Sequence, residues 1–168
     1  YHLRKIQCMN LIGTSFDIHQ LSQGKGIFLG GIFIKCNYKA IARSDGDVLL
    51  HALSEAIFSA LGLDDLGTYF PESAPETEDM DSSIILDFAI KKMKERNFKI
   101  QNLTVHILLQ NPKLSPFKEE IKENISSLTN LSKQFIAVHA GTTESLGSIG
   151  NNKAIGCFAS VLLTDQAA

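Results

Sequence analysis

AIGCFASVLL (Ala154–Leu163) is apolar on both of its alternating sides. Ile155, Cys157, Ala159, Val161 and Leu163 fall on one side of an extended chain, and Ala154, Phe158 and Leu162 on the other. Such a strand needs cover above and below. FIAV (Phe135–Val138) has the same character. A chain of 168 residues makes one domain, and the helices it affords cover one face of a sheet. The other face is expected to meet a neighbouring subunit, so a homo-oligomer is inferred.

Outward from that strand, NLIGTSFDIH (Asn10–His19) reads as a first strand, and IFLGGIFI (Ile27–Ile34) as two short strand-like pieces around Gly30-Gly31, a hairpin or bulge signal. SDGD (Ser44–Asp47) carries helix-start chemistry, with Ser44 as the expected cap. Val48, Ala52, Ala56, Phe58 and Leu61 then recur at helical spacing. LDDLGTYFPE (Leu63–Glu72) closes that helix with a turn, and the acidic stretch from Pro71 to Asp81 reads as a solvated loop. A second helix starts near Asp81-Ser82, a strand covers Ile100–Gln110, and Ser115-Pro116 opens a third helix with serine as its cap. The order predicts an α/β (α+β sandwich) fold, a mixed β-sheet with helices on one face. Residues 1–10 are an N-terminal extension or boundary remnant, and 11–165 a single domain. The opening YHLRKIQC is equally what remains of a removed targeting segment or the end of an upstream domain.

Bulk properties exclude several classes. With 44% hydrophobic and 20% charged residues the chain buries a core. A net charge of −2 argues against nucleic acid as a partner, and no apolar run approaches the ~20 residues that cross a bilayer. Cys8, Cys36 and Cys157 form no C-x-x-C pair, which argues against a disulfide framework or a thiolate metal site and for a reducing compartment. Cys157 reads as a small core residue.

Asp17-Ile18-His19 places a carboxylate and an imidazole on one strand face. His51 lies one turn beyond Asp47. Asp, His and His form a sound three-ligand zinc set with a fourth position open to a substrate oxygen. Each also has an ordinary structural reading, D-x-H as a chance pair and His51 as a satisfied core residue. His106 and His139, without nearby carboxylates, are expected in the core. SDGD and GTTE (Gly141–Glu144) gather hydroxyls, backbone N–H groups and a helix start, seats for phosphate as well as plain capped turns. QNPKLSP (Gln110–Pro116) presents Lys113 where a strand ends.

In order and spacing, FDIH, SDGDVLLHAL, LDDLGTYFPE, LLQNPKLSP and GTTESLG resemble the motifs of the 2-C-methyl-D-erythritol 2,4-cyclodiphosphate synthase family, from about Leu11 to Leu163. The resemblance implies a homotrimer with sheets packed around a threefold axis and active sites between subunits. It implies conversion of 4-diphosphocytidyl-2-C-methyl-D-erythritol 2-phosphate to the cyclic diphosphate and CMP in isoprenoid-precursor synthesis, by metal-assisted attack of the 2-phosphate on the β-phosphate. It assigns zinc to Asp17, His19 and His51, and a second divalent ion, Mg2+ or Mn2+, to Glu144. Ser44, Asp65 and Glu144 become catalytic. Substrate contacts fall to Asp17, His19, Arg43, Ser44, Asp65, Gly67, Asn111, Pro112, Lys113, Leu114, Ala140, Gly141, Thr142, Thr143 and Glu144. Such an enzyme works in the cytoplasm of a bacterium or a plastid-type organelle of a eukaryote, beside pathway enzymes or fused to an upstream domain.

The chain departs from the family pattern at several positions. Leu11-x-Gly13-x-Ser15 stands for Arg-x-Gly-x-Gly, Arg43 for a histidine, Glu72 for an aspartate, Ser145 for a lysine, and Asn151 for an arginine that lines the trimer's central cavity. Two other classes fit the same ligands: a zinc-dependent phosphoesterase, and a trimeric binding protein with structural zinc.

Overall fold

The computed structural model describes residues 8–71 and 73–166. Glu72 and most of the expected N-terminal extension lie outside them. Strand β1 (Asn10–Gln23) is followed by a hairpin of β2 (Gly26–Leu29) and β3 (Ile32–Lys35), then by β4 (Tyr38–Ile41). Helix α1 (Val48–Leu61) leads through the four-residue α2 (Leu66–Tyr69) to α3 (Ser82–Glu95). Strand β5 (Phe98–Leu108), helix α4 (Lys118–Thr129), β6 (Ile136–Gly141), the short α5 (Gly147–Gly150) and β7 (Ala154–Asp165) complete the chain.

The main sheet has the order β4-β1-β7-β5-β6. Only β5 and β6 run parallel, so the sheet is mixed, as expected. β7 sits at its centre, which explains its apolar character on both sides. Gly30 and Gly31, at φ 64° and 77°, make the β2–β3 turn, where two consecutive positive φ values suit glycine. β4 was not anticipated: its four residues, YKAI, are too short a run to establish a strand period. It pairs with the end of β1 as an edge strand.

α1 is buried on nearly every side, as befits a helix lying across the sheet beneath α3. Gly13 on β1 lets it approach: a Cβ there would come within 1.9 Å of the Ala56 carbonyl oxygen and 2.6 Å of the Ala60 nitrogen. Leu53, Ile57 and Phe58 are fully buried; truncating any of them to alanine would cost about 2–5 kcal/mol. Thr77, in a 3-10 turn at Pro75–Thr77, is also buried, so the acidic segment is less solvated than its composition suggests.

Helices α1, α3 and α4 pack on one face of the sheet, whereas Ile149 of the short α5 lies over Gly156 on the opposite face. Apart from α5, that opposite face is bare in the single chain and carries Ile12 (75% exposed), Phe16, Ile18 and Phe158 (50% exposed). Phe16 and Phe158 stack there with ring centroids 4.4 Å apart. The expectation that His106 and His139 are core residues is overturned: both are exposed on this face. Strand alternation turns Val105, Ile107 and Val138 toward the helices and so turns the two imidazoles outward. Cys157 is buried as expected. No helix among the described residues is long and apolar enough to cross a membrane.

Candidate active site

Asp17 and His19, two residues apart on β1, point to the helix-covered face beside α1. α1 begins where it does because of Asp47, not Ser44. The Asp47 carboxylate, fully buried, accepts from the backbone N–H groups of Leu49 and Leu50. It also accepts from Gly30 N–H at 2.9 Å and Gly31 N–H at 2.7 Å, tying the β2–β3 turn to the helix start. Those helix N–H groups are thus occupied, and the phosphate seat expected at the α1 N-terminus loses two of its donors. The cap at the third helix also differs: Ser115 opens a 3-10 turn before α4 with no side-chain cap bond.

One turn into α1, His51 meets the strand pair. Asp17 Oδ2 lies 3.4 Å from His19 Nε2 and 3.3 Å from His51 Nδ1, and the two nitrogens are 3.1 Å apart. Asp17 Oδ2 is buried without a hydrogen-bond partner. Three lone-pair atoms around one point fit a cation: donor atoms of a tetrahedral zinc shell with radii of about 2.0–2.1 Å sit about 3.4 Å from one another. No fourth protein ligand joins them among the described residues, which leaves a position open. Burial alone would raise the Asp17 carboxyl, yet His51, His19 and the Ile18 N–H outweigh it and hold it below the ordinary carboxylate value. Burial lowers His19 despite the pull of Asp17, favouring the neutral imidazole that a metal requires.

The cluster forms the floor of a cavity of about 510 Å³. Arg43, Ser44, Asp65 and Gly67 also line it, so the structure gathers this part of the expected site. Arg43 lies 3.6 Å from Glu78 at the exposed rim. Asp65 caps α2, accepting from Thr68 N–H and Thr68 Oγ1–H on one oxygen, Oδ1. Tyr69 and Phe70 pack on Phe88, holding this turn against α3.

The remaining expected residues gather elsewhere. Asn111, Pro112 and Lys113 leave the end of β5, and Ala140 to Glu144 the end of β6. Asn111 donates to Asn152 at 3.2 Å, Ser145 N–H donates to Gln110, and Thr142 Oγ1 lies 3.1 Å from Glu144 Oε1. Leu114 is buried. Apart from Leu114 this second group is exposed or half-buried, and it lines no part of the cavity. β7 and β5 stand between β1 and β6, and three strand spacings of about 4.8 Å make roughly 14 Å.

One cavity residue and one residue behind the cluster escaped the sequence reading. Glu55 follows His51 by four positions, a helical spacing that was there to be seen. It accepts from Leu66 N–H at 2.9 Å. Ser82, buried at the start of α3, lies 2.9 Å from His51 Nε2. A lone serine 31 positions away offered no signal.

The YgbB family profile matches residues 10–164. The chain belongs to the YgbB family. It is 46% identical over 157 residues to the bifunctional enzyme IspD/IspF of Wolbachia sp. subsp. Brugia malayi, a match covering 90% of this chain and 39% of that protein. It is 40% identical over 157 residues to 2-C-methyl-D-erythritol 2,4-cyclodiphosphate synthase of Leptospira interrogans serovar Lai, covering 92% and 98%. The solved CDP complex of IspF from Plasmodium falciparum superposes with a TM-score of 0.83 at 35% identity, covering 94% and 97%. The chain thus spans about two fifths of the bifunctional YgbB relative and nearly all of the single-activity one. The resemblance read from the five motifs is borne out at the level of the family.

Proposed function

We propose that this chain converts 4-diphosphocytidyl-2-C-methyl-D-erythritol 2-phosphate to 2-C-methyl-D-erythritol 2,4-cyclodiphosphate and CMP. The observation that carries this reading is the Asp17, His19 and His51 cluster, open on one side, at the floor of a cavity that Ser44 and Asp65 also line. An oxygen of the substrate's own 2-phosphate bonds to the β-phosphorus, the bond from that phosphorus to the bridging oxygen breaks, and CMP departs. No protein nucleophile is needed, and Cys157 supplies none: it is buried, and burial pushes its thiol up.

The work left to the protein is positioning and charge neutralisation. Arg43 brings a permanent cation to the phosphates at the cavity rim. The Ser44 hydroxyl donates to a phosphate oxygen, and Asp65, with Oδ2 outside its capping bonds, accepts from the erythritol hydroxyls. Zn2+ would be held by Asp17, His19 and His51, and Mg2+ or Mn2+ by Glu144 with substrate oxygens, as suits an ion that keeps few protein carboxylates. When bound, these ions polarise the β-phosphate and neutralise charge on the departing CMP.

The loops 111–114 and 140–144 form the cytidine side of the site, contributed by a neighbouring copy in a homotrimer packed through the bare sheet face. The exposed Ile12, Phe16, Ile18 and Phe158 support that packing, and so does the separation of the two residue groups within one chain. The bifunctional relative supports an upstream fused domain in the longer protein.

Incubation of the chain with the cytidyl substrate and Mg2+ is expected to release CMP without inorganic phosphate. Free phosphate as the product would establish a zinc phosphoesterase in its place.

A further inference from the structure

His51 faces the cluster through Nδ1, and its other ring nitrogen does not face solvent. Nε2 lies 2.9 Å from Ser82 Oγ and 3.1 Å from Ser44 Oγ. Ser82, at 0% exposure, is the first residue of α3 and comes from outside every motif read above. Its Oγ is 2.5 Å from Asp45 Oδ1.

The directions of these bonds follow from counting protons. Asp45 stands as an acceptor on both oxygens: Oδ1 takes Asp47 N–H at 3.1 Å and Oδ2 takes Ser82 N–H at 3.1 Å. The Ser82 hydroxyl is therefore the donor to Asp45, and its single proton is committed there. Ser82 Oγ then meets His51 Nε2 with a lone pair, so Nε2 carries the imidazole proton. Ser44 Oγ, which already accepts from Gly46 N–H at 3.2 Å, shares that proton and keeps its own hydrogen for a ligand. Nδ1 is left with a lone pair aimed at Asp17 and His19.

We infer that Ser82, backed by Asp45, is a positioning residue that fixes the His51 tautomer and ring orientation for metal ligation. The inference rests on the metal reading of the cluster. Histidine ligands elsewhere have their second nitrogen held by a carboxylate, carbonyl or water, and loss of such partners weakens the metal site. Here a serine carries the link between imidazole and carboxylate, and it joins α3 to the α1 site.

Ser82→Ala and Asp45→Ala test it. Ser82→Ala removes the nearer of the two acceptors at Nε2 and leaves only Ser44 Oγ at 3.1 Å; Asp45→Ala frees the Ser82 proton to turn toward the ring. Three readings are taken on each purified chain: zinc affinity by competition with a chromophoric chelator, the visible spectrum of the Co2+-loaded protein, and the His51 tautomer in the metal-free chain by long-range 1H–15N correlation. Thermal midpoints of the metal-free chains monitor folding separately.

Expected are Nε2–H in the unaltered chain, a mixture of tautomers in either variant, and zinc affinity lower by roughly 10–100-fold with a shifted Co2+ spectrum. Zinc affinity and Co2+ spectrum unchanged in both variants would overturn the positioning role, as would a proton on Nδ1 in the unaltered chain. If the unaltered chain bound no zinc yet showed Nε2–H, the metal reading would fall and take the positioning role with it, a result distinct from failure of the relay.

Discussion

The two groups of candidate residues are built in different ways. The β1–α1 group is assembled within one chain: Asp17, His19 and His51 are half-buried, and each is held from behind by the sheet, α1 or α3. The β5–β6 group consists of loop ends that are mostly exposed and that line no part of the cavity floored by the β1–α1 group. A preformed metal floor needs only its ion. Exposed loop ends become a binding wall only when a second surface is brought to them, and under the proposed assembly the bare apolar face of the sheet supplies the means.

The comparison is broken most severely by attacking the preformed half. Asp17→Ala or His51→Ala is expected to lose zinc and lower CMP release by about a thousandfold or more, since a Lewis acid contributes several kcal/mol of charge stabilisation. The proposed oligomer, packed through Ile12, Phe16 and Phe158, should persist in light scattering. Unchanged zinc content by elemental analysis in both variants would refute the assignment.

Mixing sharpens it. Asp17→Ala chains and Glu144→Ala chains, each nearly inactive, are unfolded, combined and refolded together. If each site draws one half from each of two neighbours, random assembly restores roughly a quarter of unaltered activity. If both halves come from one chain, the mixture stays as inactive as its parts.

Much of this arrangement was legible in the sequence, for reasons that also explain the gaps. The doubly apolar β7 implied a strand with cover on both sides, because alternation is a direct physical consequence of the extended chain. The ligands were legible as types, and the ordered motifs made them a set. What failed were features that exist only in space. Tyr38–Ile41 is a strand because β1 offers it an edge. Asp47 rather than Ser44 caps α1 because its carboxylate also reaches the hairpin turn. His106 and His139 follow the register of their strands, whereas the absence of carboxylates near them in sequence had suggested the core. Ser82 acquires its contact only when α3 packs over α1.

Gly13 is where fold and site meet most tightly. Gly13→Ala would drive a methyl group into the α1 backbone, so α1 must retreat from β1 and carry His51 from His19. The expected cost is about 1–3 kcal/mol of stability, with weaker zinc binding alongside. Urea unfolding of metal-free and zinc-loaded chains separates the two effects. Equal losses in both states would mean that the helix shift leaves the cluster intact.

The smallest effect concerns Glu55, which joins the preformed floor to the Asp65 turn. Burial raises its carboxyl above the ordinary value of 4.5, only partly opposed by Leu66 N–H. A folded-state value above the unfolded one means stability that is fully present below 4.5 and lost as pH rises through the raised value. Asp17 acts in the opposite sense, its stabilisation present above the unfolded value and lost on acidification. Glu55→Gln keeps an acceptor for Leu66 N–H while removing the charge. The metal-free variant should therefore gain thermal stability relative to the unaltered chain as pH rises from 4.5 toward neutrality, and show no gain below it. The gain is small because solvent reaches the group and screens it. A difference that shrinks with rising pH would show that Glu55 is held as a favourable anion, and that the floor already carries the positive charge its ligands are arranged to receive.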